Sequence, residues 1–164
     1  MVYLKKLSSN DGEDVFNMLK GIKRKEFFFT NPTYDMSFDE FKQWLIVQEK
    51  WSAGRSLPEG FVPQTVFWLY DGNDPIGIGK IRKELTESSK KAGGNIGYAI
   101  SSCYRNKGYG KQLLGLLLIE ARKMDMNKIL LTVAKTNDPS IYICLQNGGV
   151  LIGQSRDYYY YEFS

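Results

Sequence analysis

Along this chain the apolar positions alternate between the two-residue period of a strand and the three-to-four-residue period of a helix. Val2–Leu7 reads as a first strand. Ser9-Asn10-Asp11 offers helix caps, and Val15, Phe16, Leu19 and Ile22 then recur at helical spacing. A second helix opens at Ser37 with the capping-box pair Ser37 and Glu40, and its apolar face runs through Phe41, Trp44, Leu45 and Gln48. Between the two helices lies an aromatic loop, Phe27-Phe28-Phe29-Thr30-Asn31-Pro32. Trp51–Pro63 carries Gly54, Pro58, Gly60 and Pro63 and reads as a loop. Gln64–Tyr70 and Pro75–Arg82 form a hairpin across Asp71-Gly72-Asn73-Asp74. Lys90–Gly94 is a polar turn into a strand at Asn95–Ile100.

The C-terminal half continues the alternation. A helix from Tyr109 buries Leu113, Leu114, Leu117, Leu118 and Ala121. Ile129–Ala134 is continuously apolar, as a strand buried on both faces would be. Pro139–Gln146 is a further helix, and Leu151–Gln154 with Tyr158–Phe163 makes a closing hairpin. With no repeats and no low-complexity segment, residues 1–164 predict one α+β domain. It is expected to hold a mixed, mostly antiparallel sheet of six to seven strands, with helices on both faces.

Composition narrows the chemistry. The chain has no histidine, which removes Ser-His-Asp and Cys-His catalysis and His-ligated zinc. Proton transfer then falls to a carboxylate, Tyr, Cys, Lys or water. Cys103 and Cys144 lack metal-ligand spacing and are expected to be packing thiols in a reducing compartment. No metal is expected. The longest apolar run, Leu113–Ile119, is too short to cross a bilayer, and the N-terminus lacks a signal-peptide pattern, so a cytoplasmic location is expected. Net charge is +4, and the basic run Lys20–Lys25 reads as a solvated helix end rather than a nucleic-acid patch.

The most informative segment is Arg105-Asn106-Lys107-Gly108-Tyr109-Gly110-Lys111, between the strand at Asn95–Ile100 and the helix from Tyr109. Two glycines let the backbone approach a bound group closely. A helix N-terminus offers unpaired N–H groups and a dipole that favours an anion. Arg105, Lys107 and Lys111 add positive charge, so the unit suits phosphate. It is neither the dinucleotide fingerprint nor a Walker loop.

This segment resembles the signature [RQ]-x-x-G-x-[GA] of the GNAT superfamily of acetyl-CoA-dependent N-acyltransferases. Downstream, Asn137 after I-L-L-T-V-A, a helix, and Asn147-Gly148-Gly149 follow the family's order. The run is similar to a bacterial branch written roughly G-G-x-I-G-Y-x-I…R-x-K-G-Y-[GA]…N-x-x-S…N-G-G. The resemblance implies that backbone N–H groups of Arg105, Asn106, Lys107, Gly108, Tyr109, Gly110 and Lys111 cradle the CoA pyrophosphate. It implies that Ile100, Ser101 and Ser102 pair with the pantetheine arm through their main chain, with the Ile100 N–H directed at the thioester oxygen. Asn137 would approach the pantetheine as well as cap its helix. The aromatic loop would either pack at the sheet edge or wall the acceptor pocket.

The family's proton-transfer groups are not matched. Asn95 stands where many members carry a Glu, and as an amide it could only orient a water. Cys144 stands where many members place a Tyr; it shares a face with Ile141 and Leu145, which reads as a buried thiol. Tyr142 is two residues away and faces elsewhere. Glu84 and the run Tyr158–Tyr161 are further candidates. The function implied is direct transfer of an acetyl group from acetyl-CoA, as co-substrate, to a small-molecule or peptide amine. The alternative is a catalytically weak module that binds or senses acyl-CoA. A homodimer is open; nucleic acid and membrane are not expected partners.

Overall fold

The hairpin predicted across Asp71–Asp74 is the spine of the protein. The computed structural model describes residues 1–164. Strands β1 (Val2–Lys6), β4 (Thr65–Asp71), β5 (Asp74–Ile81) and β6 (Ile96–Ile100) form one antiparallel sheet in the order β1-β4-β5-β6. Strands β7 (Ile129–Ala134), β9 (Tyr158–Phe163) and β8 (Val150–Gln154) form a second, in the order β7-β9-β8. The expected strand count is therefore met by two sheets rather than one continuous sheet. A two-residue pair, β2 (Lys25–Glu26) with β3 (Phe29–Thr30), folds up the aromatic loop that showed no period in sequence.

Alternation on β4 decides where the helices go. Val66, Trp68 and Tyr70 pack with α1 (Glu13–Lys20) and α2 (Phe38–Ser52) through Val15, Leu19, Phe41 and Leu45. Phe67 and Leu69 face the other way, onto Leu113, Leu114, Leu117 and Leu118 of α4 (Tyr109–Lys123). Helices thus cover both faces, as expected. Ser37 completes the capping box with Glu40 at the start of α2. The polar stretch before β6 contains a short helix, α3 (Glu87–Lys91), capped by Thr86. No helix is long and apolar enough to cross a membrane.

The two sheets meet at one point. Gly94 forms an isolated bridge to Leu131, and the Asn95 N–H donates to the Leu130 carbonyl at 2.7 Å. The buried Asn95 side chain closes the junction from both sides. Its Oδ1 accepts from the Leu130 N–H at 2.8 Å, and its Nδ2 donates to the Arg82 carbonyl at 2.9 Å. Beyond this clamp the edge of β6 is open. Asn95→Ala strands a buried N–H and a carbonyl, so it is expected to cost about 2–4 kcal/mol. A lowered urea midpoint at unchanged m-value is the measurement.

Candidate functional site

The site begins with which way the backbone of β6 points. Ser101 N–H donates to the Ile76 carbonyl (3.0 Å) and Arg82 N–H to the Asn95 carbonyl (2.8 Å), which sets the parity of the β5–β6 ladder. In an antiparallel pair the intervening residues turn their polar groups the other way. Ile96, Tyr98 and Ile100 therefore present N–H and C=O to the open edge. The Ile100 carbonyl is taken by Arg105 Nε at 2.9 Å, leaving its N–H directed outward.

Ser101 and Ser102, expected to pair with pantetheine, are used inside the protein. The Ser101 N–H is in the ladder, its carbonyl accepts from Tyr104, and its buried Oγ donates to the Met18 carbonyl at 2.8 Å. The Ser102 N–H donates to the Gly21 carbonyl at 2.9 Å. These residues weld the end of β6 to the end of α1, so of the three only Ile100 keeps a main-chain donor for a ligand.

The glycine turn is a run of donors. After a short 3₁₀ turn (Ser102–Tyr104), Asn106 has φ +61° and Gly108, the N-cap of α4, has φ +83°. The N–H groups of Asn106, Lys107, Gly108, Tyr109, Gly110 and Lys111 have no acceptor within the protein. Successive unpaired N–H groups in such a turn, at the positive end of a helix, make an anion cradle. The Arg105 guanidinium does not join them. It turns back to the Ile100 carbonyl and to Glu26, 3.0 and 3.2 Å from its two oxygens. Lys107 and Lys111 supply the free positive charge.

The two glycines serve different ends. A Cβ on Gly108 would meet nothing within 4 Å, but the φ there is one that L-residues rarely adopt. A Cβ on Gly110 would lie 2.8 Å from Cδ1 of Ile143, on α5 (Asp138–Gln146). Gly110 thus lets α4 pack closely against Ile143 of α5. Tyr109 Oη donates to Asp71 at 2.6 Å, which holds the first turn of α4 against β4 and raises the phenol's pKa. Asn137 caps α5, accepting from the Ser140 N–H at 3.3 Å.

The four proton-transfer candidates fare differently. Asn95 is committed to backbone on both sides, as described. Cys144 is fully buried, and burial pushes its thiol up to about 12, with Ser140 pulling slightly the other way. It packs in the core under α4, a poor acid. Glu84 is exposed on the bend after β5 and does not line the neighbouring cavity. In the tyrosine run, Tyr161 is buried in the core and Tyr158 lines that cavity. A hydroxyl pair unforeseen in sequence joins β6 to α5: Tyr98 and Ser140, with oxygens 2.7 Å apart. Burial raises the Tyr98 pKa, so it stays protonated across the neutral range.

A cavity of about 1030 Å³ opens on the α1–α2 side. Asn31 anchors its wall: the amide donates to the Leu19 and Ile22 carbonyls at 2.9 Å each, and Oδ1 accepts from Thr33. That pins the aromatic loop to the end of α1. Phe27 and Phe28 line the cavity, with Trp44 and Trp51 of α2 and Phe61. Lys25, read as a solvated helix end, lines it too.

The family model described as "Acetyltransferase (GNAT) family" matches residues 17–148. The chain belongs to the GNAT acetyltransferase family. No curated protein matches its sequence. Among solved structures, it is similar to the ribosomal L7/L12 alpha-N-protein acetyltransferase RimL in complex with coenzyme A. The identity is 15% and the TM-score 0.72, covering 99% of this chain and 93% of that one. It is similar to the Campylobacter jejuni N-acetyltransferase PseH in complex with acetyl coenzyme A, at 15% identity and TM-score 0.65, covering 100% and 99%. A spermidine N-acetyltransferase SpeG chimera from Vibrio cholerae and hSSAT gives 18% identity and TM-score 0.64, covering 99% and 94%. At these identities the likeness is one of GNAT fold.

The burial of the two thiols is directly measurable. Cys103 is exposed and Cys144 buried. Ellman's reagent should titrate one thiol per native chain within minutes and the second only after denaturation.

Proposed function

We propose that this GNAT protein transfers an acetyl group from acetyl-CoA to an amine held in the aromatic cavity. The observation that carries the reading is a pair of free-donor sites, the Ile100 N–H on the open edge of β6 and, past the internally bonded Ser101 and Ser102, the N–H groups of Asn106–Lys111. A pyrophosphate fits the cradle, and an extended amide arm fits a strand edge with unpaired backbone groups. Bound there, acetyl-CoA supplies an acetyl group activated as a thioester.

The protein's own groups then have distinct tasks. The cradle and the β6 edge fix the donor, and the Ile100 N–H polarises the thioester carbonyl. Tyr98, hydrogen-bonded to Ser140, donates a hydrogen bond to the departing sulfur as the C–S bond breaks and the C–N bond forms. The acceptor's ammonium proton goes to solvent water, since the chain has no histidine and Asn95 is engaged elsewhere. The commitment of Asn95 and Cys144 to structure favours the second reading, binding of acyl-CoA without turnover. Release of CoA thiol in the presence of amines separates the two.

Acetyl-CoA at millimolar concentration should raise the melting temperature, because a ligand of the native state stabilises it by mass action. Gly108→Ala should weaken that shift, through strain at φ +83°, whereas Gly110→Ala should act mainly by lowering stability through Ile143. Differential scanning fluorimetry with and without ligand distinguishes these effects.

Tyr98→Phe should lower kcat by about 10–100-fold, or about 1.4–2.7 kcal/mol of transition-state stabilisation, with KM for acetyl-CoA little changed. With propylamine the wild-type rate should climb from pH 7 to about 9, following the free-amine fraction. No fall should follow in that range, because a phenol with a raised pKa stays protonated.

A further inference from the structure

The cavity that we read as the acceptor site has apolar walls and a cationic floor. Phe28 packs on Tyr158 with ring centroids 4.8 Å apart, and Trp51 on Phe61 at 5.6 Å. The floor is the end of β5, where Lys80 and, one residue past the strand, Arg82 lie two residues apart and so share a face. Their neighbours across the ladder on the β6 side are Gly97 and Asn95, and the Phe29 ring lies over Gly97 beside the Lys80 ammonium.

Both cations are satisfied only in part, and only by neutral acceptors. Arg82 donates from Nε and Nη2 to the Gly94 carbonyl (3.3 and 3.0 Å) and from Nη1 to Gln64 Oε1 (3.0 Å). That engages three of the five N–H groups of a guanidinium. Lys80 donates to the Thr30 carbonyl at 3.1 Å and stands 4.6 Å from the centroid of the Phe29 ring, with two N–H groups left over. Neither takes part in a salt bridge. The one carboxylate lining the cavity is Glu40, whose Oε1 accepts the Ser37 N–H at 3.1 Å in the helix cap. Lys25 adds a third positive charge.

Two half-sheltered cations without a counter-ion are costly to hold. The cost is visible at Lys80, whose ammonium is pushed down to about 8, by burial first and by the Arg82 charge second. A pair arranged in this way gains most from a charge-assisted, multidentate partner.

We infer that the acceptor is an amine whose apolar or aromatic body bears an oxyanion, a carboxylate or a phosphate, which docks on Lys80 and Arg82. This rests on the cavity being the acceptor site. A polyamine is the wrong substrate class for it, because its extra positive charges would meet those two cations, against a single lining carboxylate, Glu40, at the helix cap.

The test compares probes that differ only in the anion. Turnover of 4-(aminomethyl)benzoate and of benzylamine is followed by CoA thiol release at pH 7, with spermidine as the polycationic control. Wild type should favour the benzoate by tenfold or more in kcat/KM, chiefly through KM. Lys80→Met should reduce the preference to under threefold and Lys80→Arg should keep it, with both variants checked for folding by thermal unfolding. A wild-type ratio near one, or spermidine as the best of the three, overturns the inference while leaving acetyl transfer standing.

If no amine is turned over, fluorescence of Trp44 and Trp51 in the cavity wall is titrated with benzoate, phenyl phosphate and benzyl alcohol. Saturable quenching by either anion but not by the alcohol, weakened in Lys80→Met, supports the anion site and removes acetyl transfer. The anion that saturates identifies the carboxylate or the phosphate. No response to either anion overturns the inference.

Discussion

A strand hydrogen-bonded along only one edge is the constraint on which the site depends. Backbone N–H and C=O groups away from water need partners. β6 meets that need toward β5 and leaves the other side open over most of its length. Everything nearby is arranged so that this edge stays open and correctly placed. Ser101 and Gly21 fix its end to α1, Arg105 caps the last carbonyl, and Asn95 joins the second sheet at the opposite end. The open edge and the glycine turn then form two stretches of free backbone donors joined by an internally bonded link, with side chains largely holding them in shape.

That division of labour explains why charge near the signature is less free than it looks. Arg105 is the first residue of the motif, yet its guanidinium closes an internal pair with Glu26 and the strand end. The motif's unpaired donors are a property of backbone geometry, with Lys107 and Lys111 adding screened positive charge at the surface. The cations with unmet demand lie instead at the end of β5, facing the aromatic cavity.

Much of this was legible in the chain. The hydrophobic periods located every long helix and strand, and R-N-K-G-Y-G located the glycine turn with its unpaired N–H groups. What sequence reasoning missed depends on tertiary partners. Lys80 and Arg82 read as the polar positions of an ordinary strand, because the missing counter-ions are a fact about residues far away in sequence. Ser101 and Ser102 carry no local sign that α1 will claim them. Asn95 occupies a position suited to a carboxylate, and only the meeting of Arg82 and Leu130 across it makes the amide structural. Gly110 belongs to the motif, yet it also packs against the tip of Ile143. The pair Tyr98 and Ser140 could have been suspected from the Tyr in I-G-Y-A-I and the Ser in N-D-P-S, but their meeting needs two elements to be packed first.

The clamp at Asn95 also has a mechanical meaning. Two sheets pinned by hydrogen bonds at one point keep their mutual angle through that clamp and the hydrophobic core they share. Ile100 lies five residues from the pin, a lever of about 16 Å at ~3.3 Å per residue. A swing of ~3° at the pin therefore moves the Ile100 N–H by just under ~1 Å, on the scale at which misplacement of reacting groups costs about a hundredfold in rate. Asn95 grips Arg82 on one arm and Leu130 on the other, so it sets the angle of the lever. An amide that touches no reacting atom thereby governs how well the distant end of the strand is aimed.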